Sequence, residues 1–245
     1  LSDYGLTLGQ PLIYTYDTKS TIGNIDLTQH MYADPLPFPS LKIVSQYFTA
    51  SFDYNEPLSF AESLIILNAT PKRVADFKAG RYCARQALLA FTEEQIEILQ
   101  GKGRQPLWPK GFTGSISHSS KLAGAVVARE TDIAAMGLDI EYMNGVKQDM
   151  WQLLFNDAEQ ALIYCKPDAS LWASLFFSFK ESFYKMQYPV TYQFLEFTDI
   201  TISTTGDNFL FTPANPDHDL SAIDFDNIKT QWTMVADQLI TLCYI

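Results

Sequence analysis

The chain has 245 residues, 47% of them hydrophobic, 14% aromatic and 18% charged, without a low-complexity tract. That length fits one large domain or two small ones and buries roughly 70–75% of the unfolded surface. A formal net charge of −11 argues against general nucleic-acid binding, and no apolar run approaches the ~18 residues of a membrane span.

Residues 1–60 are rich in aromatics, Thr and Pro and read as strands and loops; the three prolines of "DPLPFPS" (34–40) forbid helix there. The first helix follows, with Thr70 as cap, Pro71 in the first position, and Val74, Phe77, Ala84, Leu88 and Phe91 at helical spacing. "TEEQ" (92–95) has capping-box spacing and predicts a short second helix. "GKGRQPLWPKGFTG" (101–114), with four Gly and two Pro, is loop. "SISHS" (115–119) and "LAGAVVA" (122–128) predict two tightly connected strands, and "AAMGLDIEY" (134–142) a third. Helices are expected around 149–164 and 169–187. Strands then follow at 197–203, 208–212, 231–236 and 239–245, with "TGDN" (205–208) as a hairpin turn. Helix-then-strands occurs twice, so the expected fold class is α+β, in two halves of similar size, 1–132 and 133–245.

Charge is unevenly placed. Residues 72–129 hold ten Lys/Arg against four acids, a local +6 that leaves −17 for the rest. A basic island in an acidic chain suggests a site for a compact anion. Cys83, Cys165 and Cys243 are far apart and odd in number, which fits a reducing cytosol and no thiolate metal site. No basic segment followed by an apolar run opens the chain, so no secretory signal is expected.

Four stretches carry chemistry. In "FFSFKESFYKM" (176–186), Trp172, Leu175, Phe176, Phe179, Phe183 and Met186 form a core-facing stripe, and Glu181 and Lys185 lie opposite, one turn apart. Phe177 and Tyr184 flank that pair, which points to a cleft; the alternative is an ordinary i,i+4 surface pair. In "GLDIEY" (137–142), Asp139 and Glu141 share one strand face, where they repel unless a cation such as Mg²⁺ sits between them; the alternative is the acid face of an edge strand. "GSISHSS" (114–120) lacks a G-x-S-x-G elbow, and Ser117 and His118 point opposite ways, so phosphate holding with Arg104 is favoured over a Ser/His nucleophile. "GRYCARQAL" (80–88) sets Arg81 and Arg85 one turn apart, two forks matching phosphate oxygens. Without a Walker A or GxGxxG loop, these residues together describe Mg²⁺-dependent chemistry on a phosphorylated small molecule.

"GRYCARQAL", "GRQPLWPKGFTGSISHS", "GLDIE" and "FSFKESFYK" occur in the order and at about the spacing of Sfp-type 4′-phosphopantetheinyl transferases, and the chain most resembles the enterobactin synthetase component D branch. The resemblance covers residues 80–186. It implies two pseudo-symmetric α+β halves with coenzyme A bound between them. It also implies movement of the 4′-phosphopantetheine arm of coenzyme A to a serine of an apo acyl or peptidyl carrier protein, with release of 3′,5′-ADP. By this similarity Asp139, Glu141 and Glu181 would ligate Mg²⁺, with Mn²⁺ as the alternative ion. Arg81, Arg104, Ser117 and His118 would hold the 3′-phosphoadenosine end. Lys185 would sit at the pyrophosphate, Lys180 is the other motif lysine, and Arg85 and Lys121 would add phosphate contacts. Glu181 or Glu141 would take the serine proton. A cytoplasmic monomer is expected, the carrier docking on apolar surface and on the basic island at Lys72, Lys78 and Lys110. The competing readings are a non-catalytic binder of coenzyme A or carrier, and a metal-dependent phosphohydrolase.

Overall fold

The computed structural model describes residues 37–38, 41–52, 57–94, 96–206 and 208–245. Most of the strands and loops expected over residues 1–60, and most of the proline run, fall outside the described residues. Among the described residues of that region, Ser45–Thr49 form strand β1.

A helix the sequence reading passed over, α1 (Phe60–Ile65), is set by a capping box: Ser59 Oγ accepts the Glu62 N–H at 3.1 Å, and the Glu62 carboxylate accepts the Ser59 N–H at 3.0 Å. Helix α2 (Pro71–Leu88) begins where expected, with Thr70 Oγ1 accepting the Arg73 N–H and Pro71 in the first turn. Its buried face is built from small residues, Ala79, Gly80, Cys83, Ala84 and Ala87, which let it lie close against a sheet. The helix expected from "TEEQ" does not form among the described residues. Thr92 Oγ1 instead accepts the Glu94 N–H two residues on, a turn contact, and Ile98 N–H donates to Glu62 in an extended approach to β2 (Leu99–Gln100). Strand β2 pairs with β3 (Pro106–Leu107) inside the expected loop.

Strands β4 (Phe112–His118) and β5 (Ala123–Arg129) follow, joined by a turn in which Ser119 Oγ accepts the N–H groups of Lys121 and Leu122. With β1 they form an antiparallel sheet in the order β1-β5-β4, covered by α2. Strand β6 (Met136–Tyr142) opens the second set of elements. The single helix expected at 149–164 is broken: α3 (Trp151–Leu154) ends at an extended Phe155, and Asn156 then caps α4 (Asp157–Tyr164) through a reciprocal bond pair with Glu159. Helix α5 (Ala169–Thr191) runs four residues past the expected end. A hairpin of β7 (Ile200–Thr205) and β8 (Asn208–Pro213) turns through Gly206 at φ 59°. Strands β9 (Lys229–Val235) and β10 (Gln238–Tyr244) complete an antiparallel sheet in the order β6-β10-β9, against which α5 packs. The fold is thus α+β, each three-stranded sheet carrying one long helix.

The sheets meet through β5, which has no wet face. Ala123, Ala125 and Val127 point into the core under α2, while Val126 and Ala128 join Leu138 and Ile140 of β6 and Ile240 and Leu242 of β10. Strand β6 alternates in the complementary sense. Met136, Leu138 and Ile140 enter that shared core, and Gly137 and Asp139 face α5. A Cβ at Gly137 would lie 1.9 Å from the Ser182 carbonyl oxygen and 2.6 Å from the Met186 nitrogen, both backbone atoms that cannot yield. Gly137→Ala therefore forces α5 off the sheet. It is expected to cost about 3 kcal/mol or more in thermal or denaturant unfolding, and an unchanged melting temperature would contradict the close approach.

Candidate active site

Serine spacing on α5 creates the polar seam on which the site is built. Ser174, Ser178 and Ser182 recur every four residues and are fully buried. Ser174 Oγ accepts the N–H groups of Asn144 and Val146 just after β6. Ser178 Oγ donates to Asp139 Oδ2 at 2.9 Å, and Ser182 Oγ donates to the Thr241 carbonyl of β10 at 3.1 Å. Lys185, at the next turn, places Nζ 2.6 Å from Asp139 Oδ1 and 3.1 Å from Ser117 Oγ. Ser117 in turn donates to Asp139 Oδ1 at 3.1 Å and accepts the Ile140 N–H at 3.2 Å. Three elements, β4, β6 and α5, therefore converge on one carboxylate.

Glu141 and Glu181 belong to the same electrostatic group. Burial pushes the Glu181 carboxyl above its ordinary range, Lys185 opposes this, and the charges of Asp139 and Glu141 add to it. Glu141 is likewise raised by burial first, the Tyr142 N–H opposing at 2.6 Å and Asp139 adding to the rise. Three carboxylates in mutual repulsion, with a lysine ammonium lodged against one of them, form a set of hard oxygen donors that suits a divalent cation in kind. Asp139 is engaged by Ser117, Ser178 and Lys185. Among the described residues no group of three or more His, Cys, Asp or Glu side chains is set as it stands to hold a metal ion.

A cavity of about 220 Å³ adjoins Glu181. Lys180, Glu181, Phe183 and Tyr184 of α5 form one wall, and Leu195, Glu196, Phe197 and Ile200 form the other.

Two family models match the chain: the 4′-phosphopantetheinyl transferase N-terminal domain over residues 61–128 and the 4′-phosphopantetheinyl transferase superfamily over 135–243. The 4′-phosphopantetheinyl transferase Svp of Streptomyces mobaraensis is 32% identical over 71% of this chain and 72% of its own length. The chain belongs to the 4′-phosphopantetheinyl transferase family. The transferase PptT of Mycobacterium tuberculosis is 32% identical over 60% of this chain and 65% of its own. Enterobactin synthase component D of Salmonella typhi is 33% identical over 65% and 66%. The matches thus span about two thirds of these relatives. Enzymes of this family transfer phosphopantetheine from coenzyme A to a carrier protein. No helix among the described residues of this transferase is long and apolar enough to cross a membrane.

The transferase divides the residues expected at the nucleotide into two groups. Ser117 joins the carboxylate seam. His118, on the opposite face of β4, has Nδ1 4.0 Å from Asp76 and a pKa held below its ordinary value, by burial first, with Arg73, Lys185 and Lys72 adding to the drop. Arg81 is 6% exposed, lies over the Phe77 ring at 4.3 Å and bonds weakly to the Leu99 carbonyl at 3.4 Å. Its Nε has no partner, and burial lowers its pKa to about 10. A poorly satisfied buried guanidinium is a site that an anion would complete. Arg104 is exposed on its loop, in the left-handed region at φ 67°.

Three other expectations meet different placements. Lys180 is buried, with Nζ bonded to Glu159 at 2.7 Å and to the carbonyls of Leu154 at 3.0 Å and Phe197 at 2.6 Å; an ammonium has three donors, and all are used. Arg85 is held by Glu62 and the Ile96 carbonyl, tying α2 to α1. Lys121 pairs at the surface with Asp237 at 2.5 Å and lies over the Tyr142 ring. Ser178, which shares Asp139, was missed by the sequence reading, although its position three residues before Glu181 and seven before Lys185 puts all three on one helical face.

Proposed function

We propose that this transferase moves the 4′-phosphopantetheine arm of coenzyme A to a serine of an apo acyl or peptidyl carrier protein, releasing 3′,5′-ADP, with a divalent ion, Mg²⁺ before Mn²⁺, held by Asp139, Glu141 and Glu181. The observation that carries the reading is Lys185, whose ammonium bridges Ser117 and Asp139 beside two glutamates with raised pKa. A bound divalent ion supplies charge neutralisation to the pyrophosphate. Lys185 would release Asp139 to it and turn its ammonium to the phosphoryl oxygens. Arg81, His118 and Arg104 would take the 3′-phosphoadenosine end, and the cavity beside Glu181 the far end of the arm. The carrier serine oxygen forms a bond to the phosphorus bearing the pantetheine, the bond from that phosphorus to the bridging oxygen of 3′,5′-ADP breaks, and the serine proton passes to a carboxylate. Glu181 suits that role better than Glu141, because its pKa is raised, by burial first, whereas Glu141 is also engaged by the Tyr142 N–H, which opposes its own rise.

The fold is read as two halves, 1–132 and 133–245, acting together as a cytoplasmic monomer; three cysteines, odd in number and far apart in the sequence, suit a reducing compartment. Lys110 is exposed and Lys78 half-buried, and these would receive an acidic carrier, while Lys72 is paired with Asp76. The test mixes protein, coenzyme A, Mg²⁺ and apo carrier, and weighs the carrier. Gain of the phosphopantetheinyl mass, its loss with EDTA and its return with Mg²⁺ are expected. Tight coenzyme A binding without mass gain would leave a non-catalytic binder, and coenzyme A consumed without carrier gain a phosphohydrolase.

A further inference from the structure

The outer wall of the cavity beside Glu181 is a short segment, residues 195–200, with no sheet or long helix of its own until β7 begins at Ile200. Its shape is imposed from both sides. From within, Lys180 Nζ grips the Phe197 carbonyl at 2.6 Å. From without, four hydrogen bonds among the described residues converge on the oxygens of Asp199. Its Oδ2 accepts the Glu196 N–H at 2.7 Å, which closes the turn, and also meets His218 Nε2 at 2.9 Å. Its Oδ1 accepts Asn215 Nδ2 at 2.9 Å, and its carbonyl accepts the Ala214 N–H at 2.8 Å. Burial by itself would push this carboxyl up; the bonds from Asn215, the Glu196 N–H and His218 outweigh it and hold it below its ordinary value. The carboxylate is therefore ionised and its bonds are of the stronger, charge-assisted kind. The loop after β8 thus straps the cavity wall through a side-chain pair that is only 10% and 20% exposed.

The cavity volume makes wall position matter. An engineered cavity of about 150 Å³ holds benzene. About 220 Å³, in a cleft open to solvent on one side, is of the order that the terminal thiol and neighbouring amide of a pantetheine arm would occupy between its two walls. An acyl group on the sulfur fits or fails according to where Phe197 and Leu195 stand.

We propose that Asp199 and His218 are positioning residues that set the width of this cavity and so decide how large an acyl thioester of coenzyme A the enzyme accepts. The inference rests on the reading that the arm's end enters this cavity. The test measures kcat and KM with coenzyme A and with hexanoyl-coenzyme A as donors, apo carrier as acceptor. His218→Ala is expected to raise the hexanoyl-to-free selectivity in kcat/KM by about tenfold, through hexanoyl KM and with kcat for coenzyme A little changed. His218→Gln, which keeps a donor near Nε2, restores the original ratio. Should His218→Ala fail to fold, Asn215→Ala removes one bond to the same carboxylate and shifts the ratio in the same direction. Leu195→Trp, which fills the cavity, tests the underlying reading and should raise KM for coenzyme A. If Leu195→Trp does so while His218→Ala and Asn215→Ala leave the ratio unchanged, the clamp is overturned, even if melting temperatures fall. If Leu195→Trp leaves KM unchanged, the arm lies elsewhere, and the inference falls with the reading beneath it.

Discussion

Glu181→Gln loses about a thousandfold in kcat for carrier modification, while its melting temperature stays level or rises. The two halves of that expectation have one physical source. Burial and the neighbouring charges of Asp139 and Glu141 raise the Glu181 pKa, so at neutral pH the folded state holds this carboxylate against an unfavourable field. A group whose pKa is raised on folding gives up stability as pH climbs above its unfolded value, the reverse of the usual salt-bridged carboxylate. The amide keeps the shape and removes the charge, so the fold is relieved where the chemistry is lost. Mass spectrometry of the carrier and a thermal melt without ligand test both halves. Full activity in a well-folded variant would remove Glu181 from the reaction and leave Glu141 as the proton acceptor.

Lys180→Met lowers stability by about 3–5 kcal/mol, a drop of about 10 °C in melting temperature. Glu159 is fully buried, and its carboxylate already serves the N–H groups of Asn156 and Ile202. Without the ammonium it becomes an uncompensated interior charge. Burial lowers the Lys180 pKa even though Glu159 opposes the drop, so the lysine also sits at a cost in this interior. Adding Glu159→Gln to Lys180→Met should accordingly recover part of the loss. The measurement also separates the two roles the residue has been given. A lost phosphate contact would cut kcat/KM for coenzyme A by about 10- to 100-fold without a large change in melting. That outcome would return Lys180 to the nucleotide; the buried geometry predicts the opposite pattern.

The buried partners of Lys180 show where local sequence pattern stops. "FSFKESFYKM" shows helical spacing, and the stripe from Leu175 to Met186 does enter the core. The sequence also places Glu181 and Lys185 in a covered position. What it cannot show is that Glu159, in a separate helix, lies beneath Lys180, because the partner depends on the helix ending at Phe155 and restarting at an N-x-x-E cap hidden in an otherwise helical run. Arg85 follows the same logic: its partner Glu62 belongs to a helix whose capping signal was swamped by the irregular composition before it. Asp139 was legible because it and Glu141, two acids on one face of a strand that acids disfavour, are chemically odd on local grounds alone. Its neighbours Ser117 and Ser178 come from two different elements, and only the packing of β4 and α5 on β6 discloses that they share it.

Strand β5 carries a last consequence. Since its side chains are claimed alternately by the core beneath α2 and by the core shared with β6 and β10, either segment expressed alone would present an oily sheet surface to solvent. The repeated look of helix and sheet is thus not modularity. Separating the two sheets would therefore bare this surface, and a single unit would need a second copy to cover what β5 now seals.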